Sequence, residues 1–492
     1  MIKIFNTLTG KKEEFKSVTP KKVKMYVCGV TVYDYCHLGH ARGAVVFDVI
    51  RRYLIYKGYD VKYVRNFTDI DDKIINRARE EGVSAWDIAR RFTEEYRRDM
   101  DALGVERADI EPKATEHIPE MIEIINGLIE KGFGYVVNGD VFFDVSRFEN
   151  YGRLSKRNLD EMLAGARVEV NERKTDPLDF ALWKSSKEDE PSWNSPWGKE
   201  GRPGWHIECS AMVLKHLGEN IDIHAGGKDL IFPHHENEIA QSEAYTGRRF
   251  VNYWMHNGFV SINQEKMSKS LKNFFTIKEV LEIYDPETVR LFLLSTHYRS
   301  PIDYSDRNLK EAESTLDRFY STKERIISYI QMRSTDTTSD IDPSLLDYDA
   351  KMLYDEIMGF KNAFVEVMDD DFNTAQVLGH IFGLIRTINR YMDKMGDSES
   401  TIAYLLNVAL MRLEEIGDVL NLFKKIPHEW FYRKRKGTIS LTDEEIEKKI
   451  EERKEARLRK DWERADRIRK ELETAGILLE DRPEGTVWKV KI

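Results

Sequence analysis

Apolar positions along this chain recur with two periods, and the changes of period divide it. Lys24-Met25-Tyr26-Val27-Cys28-Gly29 is a short apolar run that predicts a buried strand. Ala44, Val45, Phe47, Val49, Ile50, Tyr53 and Leu54 follow at helical spacing, so a helix is predicted from Ala41. Val61-Lys62-Tyr63-Val64-Arg65-Asn66 predicts a second strand, and strand, helix, strand at this spacing implies a parallel sheet. Amphipathic helices are predicted over 71–81, 85–103 and 118–131. Residues 135–143 read as a hairpin turning at Asn138-Gly139. From 153 to 204 the chain is polar and punctuated by Trp and Pro, which predicts an insertion built of long loops. Parallel-sheet signals then return: a helix over 205–217, a strand over 221–225, a helix over 233–246 with Pro233 near its start, and a short strand over 259–262. From 305 to about 425 the spacing is helical throughout and predicts a bundle, with a loop at 334–339. Thr442-Asp443-Glu444-Glu445 is a capping-box start to one long charged helix, and 476–481 with 486–490 form a small terminal hairpin. The fold class is therefore α/β, a parallel sheet split by an insertion, followed by an α-helical bundle and a small α+β domain.

Composition narrows this picture. At 492 residues the chain is long enough for about three to four domains. The charged fraction of 33%, with glutamine scarce, points to a heat-adapted host. A net charge of −10 gives no global basic field, so any RNA contact must come from local patches. Three scattered cysteines make no disulfide framework. The N-terminus has no apolar signal region, and no run approaches the roughly 18 apolar residues of a membrane span. A cytoplasmic protein without membrane contact is expected.

Two strings carry candidate chemistry. His37-Leu38-Gly39-His40 stands at the predicted start of a helix, where free backbone N–H groups favour phosphate. Lys266-Met267-Ser268-Lys269-Ser270 puts two ammonium groups and two hydroxyls on a short loop. Such strings singly are usually surface features; together they suit attack on an α-phosphate, which builds charge on phosphate oxygens. A second constellation is metal-like. Cys28 ends the first strand, Cys209 follows Trp205-His206-Ile207-Glu208, and His234 and Glu238 are four apart on one helical face. Two thiolates, an imidazole and a carboxylate suit zinc. A metalloprotease motif at His235-Glu236 fails, because Ile239 stands where its second histidine belongs. Cys36 is read as packing. Asp69, Asp71 and Asp72 are read as capping the helix near 71 and pairing with basic neighbours rather than as a magnesium site.

Six further strings join these: 27–34, 66–73, 114–118, 204–212, 229–238 and 371–374. On all of them the chain resembles the cysteinyl-tRNA synthetase family of class I aminoacyl-tRNA synthetases, over nearly its whole length. The resemblance implies a Rossmann catalytic domain in two halves, 1–115 and 204–265, the second with zinc ligands. A connective-peptide insertion would occupy 116–203, the KMSKS loop and stem-contact region 266–304, a helical bundle 305–426 and an anticodon-binding domain 427–492. It implies one zinc per chain on Cys28, Cys209, His234 and Glu238, and ATP with Mg2+ as substrate. The carboxylate of L-cysteine would attack ATP, with His37, His40, Lys266 and Lys269 stabilising charge and Gly39, His40 and Lys269 contacting the nucleotide. Gly29, Thr68, Trp205, His224 and Asp229 would shape the amino-acid pocket, Asp229 meeting the substrate ammonium or capping a helix ahead of Leu230. Arg457, Arg459, Lys460, Trp462 and Arg467 would contact tRNA-Cys. A monomer is expected. Zinc would separate cysteine from serine, near-isosteres that a plain pocket distinguishes only about 100-fold, because a soft thiolate far outcompetes a hydroxyl for the metal. Ala225 and Lys272 each replace a glycine usual in the family. Two alternatives stand. The cysteine–glucosaminyl-inositol ligases of mycothiol synthesis share the core but lack the full C-terminal part, and a non-catalytic RNA-binding paralogue would not need both signatures and all four ligands.

Overall fold

The chain starts its central sheet in the middle and builds outwards in both directions. In the computed structural model, four parallel strands lie in the order Val251–Asn257, Ile221–Gly227, Lys22–Thr31, Asp60–Thr68. The structure describes residues 1–156, 174–262, 265–266, 275–332, 342–394, 400–436, 441, 443–482 and 485–490. Met25, Tyr26 and Val27 are consecutive and all buried, as a strand covered on both faces requires. Helix Leu38–Tyr56 crosses to Asp60–Thr68 on one side, and the chain later returns through helix Trp205–Leu217 to Ile221–Gly227 on the other. The order therefore reverses between Lys22–Thr31 and Ile221–Gly227. A crevice opens outside the carboxyl ends of strands at such a reversal, where open α/β sheets bind ligands.

The insertion differs from its sequence reading. Strands Phe180–Ser185, Trp193–Ser195 and Gly198–Pro203 join the predicted hairpin in a five-stranded antiparallel sheet, where loops were expected. Phe180, Leu182 and Trp183 are buried in it, and the Phe143 and Phe180 rings stack at 4.9 Å. The hairpin turn is as predicted, with positive φ at both Asn138 and Gly139. Two helix starts also move. The first helix begins at Leu38 with His37 as its cap, and the helix expected from 233 begins at Glu236 after an irregular turn, Ile231–His235. Asp71 caps helix Asp72–Glu81 as expected, and Asp72 meets Lys184 and Arg202.

Helices Asp306–Met332, Tyr348–Asp369, Thr374–Lys394 and Ser400–Leu420 form the bundle. Pro427–Lys436, assigned above to the terminal domain, packs on that bundle: Trp430 is buried, stacks on Tyr320 at 4.9 Å and donates its indole N–H to Asp317 at 2.8 Å. The single long terminal helix is in fact two, Asp443–Leu458 and Trp462–Thr474, broken where Lys460 takes a φ of 60°. The hairpin Ile477–Arg482 with Gly485–Val490 closes the chain as expected. The expected loop at 334–339 and the capping residue Thr442 lie outside the described residues. Among the described residues no helix is long and apolar enough to cross a membrane.

Asp99 in helix Ala85–Ala102 is a buried carboxyl whose pKa is pushed up to about 7, first by burial and then by Glu95. A carboxyl with a raised folded-state pKa costs stability once the unfolded chain ionises, from about pH 3.9 upwards. The cost grows as pH rises and levels off above about 7. Asp99→Asn should therefore raise the melting temperature at pH 8 and leave it almost unchanged at pH 4. An equal effect at both values would show that ionisation of Asp99 plays no part.

Candidate active site

The reversal in strand order decides what meets in the crevice. Cys28 reaches it near the carboxyl end of Lys22–Thr31, and His224 from the adjacent Ile221–Gly227. Helix Trp205–Leu217 presents Cys209 in its second turn. The turn Ile231–His235 and helix Glu236–Thr246 bring His234 and Glu238 to the same point, with the four-residue spacing kept across the junction. The Cys28 and Cys209 sulfurs are 3.8 Å apart, Cys28 Sγ lies 3.6 Å from Glu238 Oε1, and His234 Nε2 lies 3.0 Å from the same oxygen. The four donor atoms lie within 4.8 Å of one another, a cluster compatible with a metal ion. Cys209, His234 and Glu238 are buried and Cys28 is partly so.

The electrostatics are those of donors crowded away from water. Burial pushes the Glu238 carboxyl up, but the His224 and His234 imidazoles outweigh it and hold the group down to about 2. Burial pushes His234 down, but the Glu238 charge and hydrogen bonds to Cys209 and Glu238 raise it to about 10. Cys28 is pushed up by burial and by Cys209, while Cys209 falls to about 6, chiefly through its hydrogen bond with Cys28.

A second layer of histidines supports the cluster. His224 Nε2 bonds Glu238 Oε2 at 2.8 Å. His235 Nε2 approaches Cys28 Sγ at 3.3 Å and its Nδ1 pairs with His256 Nε2 at 2.8 Å, while His206 Nδ1 meets His234 Nδ1 at 3.0 Å. His224 and His235 with Cys28 and Glu238 make a second four-donor group that shares two members with the first. Sequence reasoning placed His224 in the pocket, and it missed the parts of His206, His235 and His256. The one available signal was the density of histidine, six between 206 and 256.

The remaining pocket candidates fall round the same crevice edge. Gly29 donates its N–H to Asn66 Oδ1 at 2.8 Å, and a Cβ there would lie 1.6 Å from the Asn66 carbonyl oxygen. Thr68 Oγ1 donates to the buried Glu208 at 2.9 Å. Trp205 stacks on His234 at 4.3 Å and is 38% exposed. Asp229 lies within the short turn Lys228–Leu230, whose cap is Gly227, so it is not the N-cap that the sequence suggested. Ala225 is buried in the sheet between Val27 and Met255.

At the first signature, His37 Nδ1 accepts the Gly39 N–H at 3.0 Å and His40 Nδ1 accepts the His37 N–H at 3.2 Å, with the rings stacked 3.9 Å apart. Both imidazoles thus cap the N-terminus of a 19-residue helix, the end that favours anions. The backbone of Lys266 pairs with Ser261, whereas Lys269 and Lys272 lie outside the described residues. Arg457, Arg459, Lys460 and Trp462 surround the break between the two terminal helices and Arg467 lies on the second; all are exposed, Trp462 by 58%.

A split parallel sheet with these features defines a class I synthetase, and residues 14–314 match the family of tRNA synthetases class I (C) catalytic domains. A DALR domain matches 363–424, and a cysteinyl-tRNA ligase anticodon binding domain matches 442–488. Cysteine–tRNA ligases of Thermodesulfovibrio yellowstonii and Geobacter metallireducens are 58% and 56% identical to it over all of both chains. The chain belongs to the cysteine–tRNA ligase family. Among solved structures, the Mycobacterium tuberculosis methionyl-tRNA synthetase in complex with methionyl-adenylate shares the fold with a TM-score of 0.64 at 17% identity, covering 81% of this chain and 92% of that one. A putative arginyl-tRNA synthetase from Campylobacter jejuni does so with a TM-score of 0.57 at 13% identity, covering 84% and 96%.

Gly29→Ala should separate the first two strands just beyond Cys28, since the new Cβ meets main chain rather than a movable side chain. A loss of about 1–3 kcal/mol is expected from such overpacking. The melting temperature should fall. A wild-type melting curve would show that the strands part freely there.

Proposed function

We propose that this chain, an aminoacyl-tRNA ligase by family, binds zinc through Cys28, Cys209, His234 and Glu238 and uses it to select L-cysteine. The observation that carries the reading is the donor geometry. Around a tetrahedral zinc with Zn–S of about 2.3 Å and Zn–O of about 2.0 Å, two thiolates sit about 3.8 Å apart and a thiolate and a carboxylate oxygen about 3.5 Å apart. The corresponding separations here are 3.8 and 3.6 Å. When bound, zinc supplies a soft Lewis acid that favours a thiolate over a hydroxyl as an added ligand.

The chain's own groups do the rest. Asp229 meets the substrate ammonium, while Trp205, Thr68, His224 and Gly29 close the pocket round its side chain. The substrate carboxylate attacks the α-phosphate of ATP, which enters with Mg2+, and pyrophosphate leaves. His37 and His40 hold the phosphates at the helix N-terminus, and Lys266 and Lys269 add cations on the charge that develops. The ribose hydroxyl of the terminal adenosine of tRNA-Cys then takes the cysteinyl group and AMP leaves. Arg457, Arg459, Lys460, Trp462 and Arg467 provide cations and an aromatic face for the tRNA. The terminal unit that they serve is proposed to begin near 442, after the helix that packs on the bundle. The match of an anticodon binding domain at 442–488 supports tRNA, not a sugar amine, as acceptor. The protein is proposed to act as a cytoplasmic monomer.

Two experiments test this reading. Cys209→Ser should lower zinc from one per chain and reduce cysteine-dependent pyrophosphate exchange by more than about 100-fold. Metal-free protein that still activated cysteine with undiminished preference over serine would overturn the zinc assignment. Ending the chain at Lys436 should preserve exchange and raise the KM for tRNA about tenfold, the equivalent of about 1.4 kcal/mol of lost contact. Unchanged tRNA charging by the shortened chain would remove the terminal helices from the tRNA interface.

A further inference from the structure

One buried cation belongs neither to the metal cluster nor to the phosphate-binding groups. Arg42 lies on the same helix as His40, two residues later, and has no exposed surface. No carboxylate pairs with it among the described residues; its guanidinium is spent on main-chain carbonyls. Nη1 donates to Phe259 O at 3.3 Å, and Nη2 to His297 O, Tyr298 O and Ser300 O at 3.2, 3.5 and 2.5 Å. Burial lowers its pKa only to about 10, so it stays charged at neutral pH.

Those carbonyls are not arbitrary. Gly258 N–H donates to Tyr298 O at 2.8 Å, and Ile302 N–H donates to Phe259 O at 3.0 Å, so 258–259 and 298–302 are laced together where Arg42 enters. Strand Val260–Ile262 leaves this knot, lies parallel to Ile302–Tyr304, and pairs through Ser261 with the backbone of Lys266. Beyond the second signature the chain returns to the first: Ile277 N–H donates to Cys36 O at 2.9 Å, and Thr276 bridges to His37. Both flanks of the second signature are thus tied to residues 36–42.

We propose that Arg42 is a positioning residue for the ATP step, fixing the strand that leads to Lys266 at a set distance from His37 and His40. A lysine keeps the charge but offers one point of attachment where the guanidinium spans carbonyls from two segments. A misplacement of about 1 Å between catalytic groups lowers a rate by about 100-fold. Cys28, Cys209, His234 and Glu238 themselves lie on other elements, and the part of their surroundings nearest the knot is His256, two residues before Gly258 on strand Val251–Asn257.

The inference rests on the cysteine-activating reading, and exchange by the wild-type protein tests that reading separately. In full-length, zinc-loaded protein, Arg42→Lys should slow cysteine-dependent pyrophosphate exchange by about 10- to 100-fold. Cysteine affinity, measured by calorimetry without ATP, should stay within about twofold of wild type. Exchange within twofold of wild type, or an equal loss of cysteine affinity, would overturn the proposal. Should Arg42→Lys fail to fold, Gly258→Ala decides by the same readouts. Its Cβ would lie 2.3 Å from Ser300 O and so displace the acceptor nearest Arg42 Nη2 while keeping the guanidinium itself. If neither variant folds, Arg42 is a fold-stabilising residue and the positioning role falls.

Discussion

Glu238 is a carboxylate with no exposed surface, set against two thiols and ringed by imidazoles, and the catalytic half is built round making that burial tolerable. An isolated buried charge is expensive and persists only when paired and hydrogen-bonded. Here His224 holds one oxygen at 2.8 Å and His234 the other at 3.0 Å. His234 is a local partner, from the turn before Glu238's own helix, whereas His224 comes from a central strand, so the second oxygen is satisfied only once that strand is in the sheet. The same arrangement leaves Cys28 and Cys209 side by side with one proton favoured on Cys28, which is where a cation would displace protons and take up the donors together.

The donor cluster and the N-terminus of helix Leu38–Tyr56 are joined by one short stretch of chain. Cys28 lies three residues before the end of strand Lys22–Thr31 and His37 caps a helix, with only residues 29–36 between. Those residues have little freedom. Gly29 is pressed on Asn66, the Val32 N–H bonds Thr68 O at 3.2 Å, and Cys36 O receives Ile277. A connection pinned at its start, middle and end holds the metal cluster and the helix N-terminus in fixed relation. Chemistry that drew on groups from both ends of this connection would need that relation.

What the sequence made legible was whatever has a short period or a local signature. The sheet strands, the Asn138-Gly139 hairpin, most helices and the spacing of the four donors were all readable before any coordinates. The failures have local causes. In the insertion, Trp and Pro interrupted the alternation of strands that are nonetheless strands, because Phe180, Leu182 and Trp183 supply its core. The break at Lys460 carries no glycine to announce its positive φ. The part of His256 could not be assigned because parallel pairing alone sets it beside Gly226, 30 positions away in the chain. Long-range register of that kind leaves no trace in a local window.

The helical part shows how two distant tasks share one rigid frame. Arg290 is buried, pairs with Asp48 of the first long helix, and donates to Leu420 O at 2.7 Å and Leu103 O at 3.2 Å. Removing one partner of such a pair leaves a buried charge unmatched, so the contact punishes misdocking more than it adds net stability. Tyr53 adds a second tie, donating to Asp369 at 2.7 Å. The catalytic core and the bundle accordingly merge into one hydrophobic cluster, from Ile2 to Trp430. The terminal helices and hairpin keep a separate small cluster of their own, around Ile446, Ile450, Ile468 and Leu472. The frame is thus continuous from helix Leu38–Tyr56 to the bundle, and the unit matched by an anticodon binding domain carries a core of its own.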